Sequence, residues 1–172
     1  MDMNVPKSAL LLRKPQAQDG AALHALIEAC PPLDLNSVYC YLLQCSHFAA
    51  TSVVAERAGE LVGAITGYRP PAQGDTLFIW QVAVDEEARG HGLAGRLLDY
   101  LIGGNGEIRY LQTTVSPSNK ASRRLFEKLS ARLDTRLSIE EGFPQSLFPD
   151  GLHEAEPLLT IGPFSPVEAL QP

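Results

Sequence analysis

Apolar positions recur along this 172-residue chain with two periods, and the switches between them mark out its elements. Leu10, Leu11 and Leu12 form a short strand-like run, and the loop behind it ends at Asp19, placed as a helix N-cap. Over residues 21–29, Leu23, Leu26 and Ile27 fall at helical spacing, and Pro31-Pro32 stops that helix. A second helix is predicted through Val38, Leu42 and Leu43 to His47, with Asp34 or Asn36 as its cap. Residues 52–56 and 61–68 are β-rich and joined by Arg57-Ala58-Gly59-Glu60, a hairpin signature. Residues 77–84, Leu-Phe-Ile-Trp-Gln-Val-Ala-Val, are almost continuously apolar, which predicts a central strand.

The second half alternates helix and strand. A Gly-containing turn over residues 89–92 leads into a helix through Leu97, Leu98 and Leu101 that stops at Gly103-Gly104. A strand is predicted over residues 108–115, and residues 116–119 then open a helix through Leu125, Phe126 and Leu129. Two more strands are expected over residues 132–139 and 158–161. The order β-α-α-β-β-β-α-β-α-β-β predicts a mixed-sheet α/β or α+β domain. Without repeats or low-complexity tracts, one domain is expected over residues 1–172, its core spanning about 9–163 and its tail mobile after Phe164.

Hydrophobic residues at 45% and charged residues at 20% fit a globular chain and argue against disorder. Fourteen Lys and Arg stand against twenty Asp and Glu, a formal net charge of −6 that argues against a broad nucleic-acid face. No apolar run is long enough to span a membrane, and the polar start Met1-Asp2-Met3-Asn4 does not read as a secretory signal, so the cytoplasm is expected. The charge is unevenly spread. Residues 1–88 hold 5 basic and 10 acidic groups, residues 89–136 hold 9 and 4, and residues 137–172 hold none and 6. That basic block suits an anionic ligand, and the acidic flanks suit a cationic one or plain solvent.

Cys30, Cys40 and Cys45 lack a CxxC pair, and His24, His47, His91 and His153 lack ligand spacing, so no metal is expected. Cys40 and Cys45 sit in an apolar stretch and read as core.

The segment Val82-Ala83-Val84-Asp85-Glu86-Glu87-Ala88-Arg89-Gly90-His91-Gly92-Leu93-Ala94 is a strand, an acidic turn and an Arg-x-x-Gly-x-Ala helix start. Small residues let backbone approach a ligand closely, and a helix N-terminus offers free N–H groups to an anion. The arrangement suits a pyrophosphate, although a Gly-containing strand-to-helix turn also satisfies it. It lacks the Gly-Lys-Ser/Thr of a Walker loop and the Gly-x-Gly-x-x-Gly of a dinucleotide fold. Farther on, Asn119-Lys120-Ala121-Ser122-Arg123-Arg124-Leu125-Phe126 begins a basic amphipathic helix behind a strand.

In this order and separation, the two segments resemble the acetyl-coenzyme A signature of the GCN5-related N-acetyltransferase (GNAT) superfamily, over roughly residues 10–139. The resemblance implies a mixed central sheet flanked by helices, its strands splayed around the acetyl-CoA site. It further implies that the amides of Arg89, Gly90, His91, Gly92, Leu93 and Ala94 bind the pyrophosphate. The Val82, Ala83 and Val84 backbone would pair with the pantetheine arm, and Asn119 would touch the same arm. Lys120, Arg123 and Arg124 are available for the adenosine phosphates, in agreement with the basic block. Many members carry Tyr where Phe126 stands, as the acid for the leaving thiolate; here that role passes to another residue or to solvent.

Residues 32–43, 78–84, and 153–156 leading to Ile161-Gly162-Pro163-Phe164 resemble, more closely, the L-2,4-diaminobutyric acid acetyltransferases of ectoine biosynthesis. That resemblance implies a small cationic amino-acid substrate, acetylated on its γ-amine, and a homodimer. A substrate of this kind needs carboxylates and an aromatic wall. Asp34, Glu154 and Glu156 supply carboxylates if the acidic tail folds back, and Trp80 offers a cation–π face. The candidate catalytic set is Trp80, Glu156, Asp34 and Tyr39, a carboxylate or carboxylate-held water acting as base. A backbone N–H from Val82 or its neighbour would hold the oxyanion. Alternatives stay open: Trp80 as core, Asp34 as a cap, the two glutamates as tail charges, and Tyr39 or Tyr41 as packing. No activated Cys or Ser stands out, so direct transfer in a ternary complex is expected. The competing functions are acetylation of another small diamine or a protein amine, and non-catalytic acyl-CoA binding, which Phe126 keeps open.

Overall fold

In the computed structural model, residues 9–165 are described, and the tail expected to be mobile lies largely outside them. The element order is β1 (Leu10–Arg13), α1 (Gly20–Glu28), α2 (Val38–Ser46), β2 (Val53–Arg57), β3 (Glu60–Tyr68) and β4 (Thr76–Val84). It continues with α3 (Leu93–Gly103), β5 (Tyr110–Thr114), α4 (Lys120–Arg132), β6 (Leu137–Phe143) and β7 (Glu156–Ile161), the order that the hydrophobic periods predict. The strands form one mixed seven-stranded sheet in the order β1-β2-β3-β4-β5-β7-β6. β4 and β5 pair parallel, whereas β1/β2, β2/β3, β5/β7 and β6/β7 pair antiparallel. Among the described residues, no helix is long and apolar enough to cross a membrane.

The chain divides into two compact units. One holds the residues up to Gly67 together with Gln81–Leu101. Its core joins Leu23, Leu26 and Ile27 of α1 to Tyr41 and Cys45 of α2, and to Val54, Ala64 and Ala83 of the sheet. The β2–β3 hairpin closes through Ala58 and Gly59, both at positive φ (55° and 84°), the turn whose twist matches its strands. The other unit holds Tyr68–Trp80 and the residues from Ile102 onward. Ile108, Leu111, Phe126, Leu129, Leu159, Ile161 and Phe164 are buried there.

Three local expectations are corrected, and a fourth, the Asp19 cap, holds in position only. Ser37, rather than Asp34 or Asn36, caps α2, accepting the Cys40 amide at 3.2 Å. Asp19 is the N-cap residue of α1 as expected, but its side chain makes no capping bond there; its carboxylate takes Arg13 at 2.7 and 2.9 Å and the Gln16 amide at 2.7 Å. Cys40 is only half-buried, whereas Cys45 is core. The strand expected over residues 132–139 begins later, because α4 runs to Arg132 and turns through Asp134 at φ 46°. β6 also bulges against β7, where residues 141 and 142 oppose Pro157, which has no N–H to give.

Candidate functional site

β4 displays its sequence alternation as two faces. Leu77, Ile79, Gln81 and Ala83 are buried, whereas Phe78, Val82 and Val84 are half-buried and Trp80 is 43% exposed. Trp80 is therefore not core. Its ring stands edge-on to Tyr68, 6.3 Å between centroids and 80° between planes, and its open side suits a cationic guest. The register with β5 ends at Ile79↔Thr113, so Trp80 to Val84 continue beyond the last paired residues.

The turn after β4 is held by its own polar groups. Asp85 Oδ1 accepts the Glu87 amide at 3.0 Å, and the Asp85 amide donates to Val62 O at 2.9 Å. Arg89 Nε donates back to Val84 O at 3.0 Å, and the Cys30 thiol lies under the same carbonyl at 3.5 Å. Gly90 and Gly92 have φ of 79° and 72°, and no atom lies within 4 Å of where a Cβ would stand. Glycine is thus required here by backbone conformation, and the space above the turn is open. The Arg96 amide bonds to Gly92 O at 3.1 Å, so the amides earlier in the first turn of α3 have no acceptor one turn back. Open amides, the positive helix end and two left-handed glycines fit a phosphate.

In the other unit, Asn119 caps α4, its Oδ1 accepting the Ser122 amide at 3.1 Å. Lys120, Arg123 and Arg124 line a pocket of about 430 Å³ together with Val115, Ser116, Pro117, Glu127 and Pro157. Arg123 Nε donates to Glu127 Oε1 at 2.9 Å. Phe126 is 1% exposed and serves as core.

The acidic tail folds back. β7 inserts between β5 and β6, and Val115 N–H donates to Pro157 O at 3.2 Å. This brings Glu154 against the start of α4, where Ser118 Oγ donates to its carboxylate. Glu156 keeps 19% of its side chain exposed and lies 3.8 Å from His153 Nε2. The His153 ring stacks on Phe148 at 4.2 Å, so its position is fixed by packing. The motif Ile161-Gly162-Pro163-Phe164 is structural: Arg109 Nε donates to Phe164 O at 2.8 Å and Phe164 N–H returns to Arg109 O at 2.9 Å.

Asp34 is exposed, with its backbone carbonyl held by Gln81 Nε2 at 2.7 Å. Tyr39 is 69% exposed on the first turn of α2, whereas Tyr41 is fully buried and donates to Gln81 Oε1 at 3.2 Å. Sequence reasoning passes over His153 and Gln81. The one polar side chain inside an apolar strand was the available signal for Gln81; nothing local signals His153.

Residues 21–131 match the family model described as "Acetyltransferase (GNAT) family". An L-2,4-diaminobutyric acid acetyltransferase from Methylotuvimicrobium alcaliphilum is 48% identical over 93% of this chain and 94% of its own. One from Streptomyces coelicolor is 47% identical over 95% and 98%. The diaminobutyrate acetyltransferase EctA from Paenibacillus lautus, solved in complex with L-2,4-diaminobutyric acid and coenzyme A, superposes with a TM-score of 0.88. It is 42% identical and covers 91% of this chain and 96% of that one. With its seven-stranded mixed sheet, its glycine turn and this full-length likeness, the chain belongs to the GNAT family and, within it, to the L-2,4-diaminobutyric acid acetyltransferases.

Proposed function

We propose that the chain transfers the acetyl group of acetyl-CoA to the γ-amine of L-2,4-diaminobutyrate, giving N4-acetyl-L-2,4-diaminobutyrate for ectoine biosynthesis. The observation that carries this reading is the 42% identity, at a TM-score of 0.88, to an enzyme solved with that amino acid and coenzyme A.

The amides of Arg89, Gly90, His91, Gly92, Leu93 and Ala94 bind the pyrophosphate. Val82, Ala83 and Val84 pair with the pantetheine arm, and Asn119 contacts it. Lys120, Arg123 and Arg124 take the remaining phosphate charge. Asp34, Glu154 and Glu156 hold the two ammonium groups of the substrate against Trp80. Glu156, or a water it holds, removes a proton from the γ-amine, and the freed lone pair attacks the thioester carbon. A Val82 amide stabilises the oxyanion, the new C–N bond persists and the C–S bond breaks. Tyr39 protonates the thiolate, a role that Phe126 cannot fill, since the Tyr41 hydroxyl is engaged with Gln81 and with the Asn36 amide. The transfer is direct, in a ternary complex. In this reading the enzyme is a single-domain protomer of a cytoplasmic homodimer.

The test is thiol release from acetyl-CoA with L-2,4-diaminobutyrate, L-ornithine and L-lysine, the acetylated nitrogen being identified by NMR. Preference for diaminobutyrate with γ-acetylation is expected. Equal rates with all three amines, or α-acetylation, would overturn the assignment.

A further inference from the structure

Gln81 is the only polar side chain on the buried face of β4, which otherwise presents Leu77, Ile79 and Ala83, and it is 6% exposed. A primary amide buried among aliphatic groups is costly unless its donors and acceptors are met. Here both ends are used for one purpose. Nε2 donates to the Asp34 carbonyl at 2.7 Å, and Oε1 accepts the Tyr41 hydroxyl proton at 3.2 Å. The Tyr41 oxygen in turn accepts the Asn36 amide at 3.2 Å, from a ring with no exposed surface.

Residues 34–36 lie ahead of the Ser37 cap and belong to no helix or strand. The Gln81–Tyr41 pair holds the carbonyl of 34 and the amide of 36 on either side of the exposed Leu35. Gln81 also directly follows Trp80 along β4. The buried Gln81 side chain therefore ties the segment carrying Asp34 to its own position on β4.

We infer that Gln81, supported by Tyr41, is a positioning residue that sets the chain-length selectivity of the amine site. The inference rests on the proposed reaction, in which Asp34 binds the diamine. Neither Gln81 nor Tyr41 touches the reacting atoms; they act through the Asp34 segment. A segment held in one place favours one length of amine side chain, and a looser segment admits the extra methylene of ornithine.

The test compares wild type, Gln81→Glu and Tyr41→Phe with L-2,4-diaminobutyrate and L-ornithine. Gln81→Glu keeps the acceptor for Tyr41 and turns an oxygen toward the Asp34 carbonyl. Its KM for diaminobutyrate is expected to rise about tenfold, and its preference for diaminobutyrate over ornithine to fall about tenfold. The KM for acetyl-CoA should stay within about twofold, because only one substrate's site is loosened. Tyr41→Phe leaves the Gln81–Asp34 bond in place, so about a threefold loss of preference is expected. If Gln81→Glu does not fold, Tyr41→Phe decides alone, and an unchanged preference in that folded variant overturns the inference. A parallel loss of affinity for both substrates also overturns it, as the signature of general destabilisation. A wild-type chain that releases no thiol with diaminobutyrate defeats the assigned reaction and this role with it. A wild type that does so while Gln81→Glu behaves identically defeats the positioning role alone.

Discussion

Replacing Gly92 by alanine tests whether the turn before α3 holds coenzyme A by its backbone shape. Gly92 sits at φ 72° and a Cβ there meets nothing within 4 Å, so the substitution introduces conformational strain without a clash. The left-handed conformation costs an alanine about 1–2 kcal/mol. That strain has two outlets. If the turn keeps its shape, the folded state is destabilised and Tm falls by about 2–4 °C per kcal/mol for a chain of this size. If the turn relaxes, stability is retained and binding must restore the strained shape, which weakens coenzyme A affinity by about 5- to 30-fold. Gly59 provides the control, because its φ is 84° with the same open space, in the hairpin between β2 and β3. Gly59→Ala should lower Tm and leave coenzyme A affinity unchanged. Calorimetric titration with coenzyme A and thermal melts of the three proteins separate the outcomes. A Gly92→Ala protein with native Tm and native affinity would refute the reasoning, as would equal losses of affinity in both variants.

Glu154→Gln and Glu156→Gln are each expected to raise the KM for diaminobutyrate about tenfold or more while leaving that for acetyl-CoA nearly unchanged; parallel changes would mean the acidic tail is only solvated surface. Arg13 hydrogen-bonds to Asp19 and holds its carboxyl below the usual carboxylate range. A depressed folded-state pKa stabilises above the unfolded value of about 3.9, and that contribution is lost as pH falls through the folded value. The Tm gap between wild type and Asp19→Asn should therefore be widest near neutrality and shrink below about pH 4; a constant gap would exclude the ion pair as its source. Burial pushes the Cys45 thiol up to about 11, and Asp19 adds to it. Ellman's reagent at pH 8 should reach the half-buried Cys40 in native protein and Cys45 only after unfolding, and native labelling of Cys45 would count against its burial.

Every helix and strand left a periodic trace in the sequence, whereas the errors fell where a side chain competed for a role the pattern cannot rank. Asp19, Asp34, Asn36 and Ser37 are all capping residues by type. Asp19 is drawn off by Arg13, and Ser37 wins because it stands directly before Val38. The β6 boundary slid because no glycine or proline marks the turn at Asp134. The left-handed turn at Gly90 and Gly92 was readable because a backbone need restricts residue type. The exposure of Trp80 was not, since tryptophan occurs in cores and on open faces alike, and its 43% exposure shows only that it is not core. Glu154 meeting Ser118 across 36 positions depends on β7 inserting beside β5, a long-range pairing with no local signature.

β6 ends the sheet order, and the outermost strand of any sheet is a template on which another chain can polymerise. This one carries two adjacent exposed carboxylates, Glu140 and Glu141, and breaks step with its neighbour where Pro157 lies opposite. A second copy approaching that rim would meet like charge and mis-spaced amides. The rim therefore acts as a guard against growth of the sheet beyond β6.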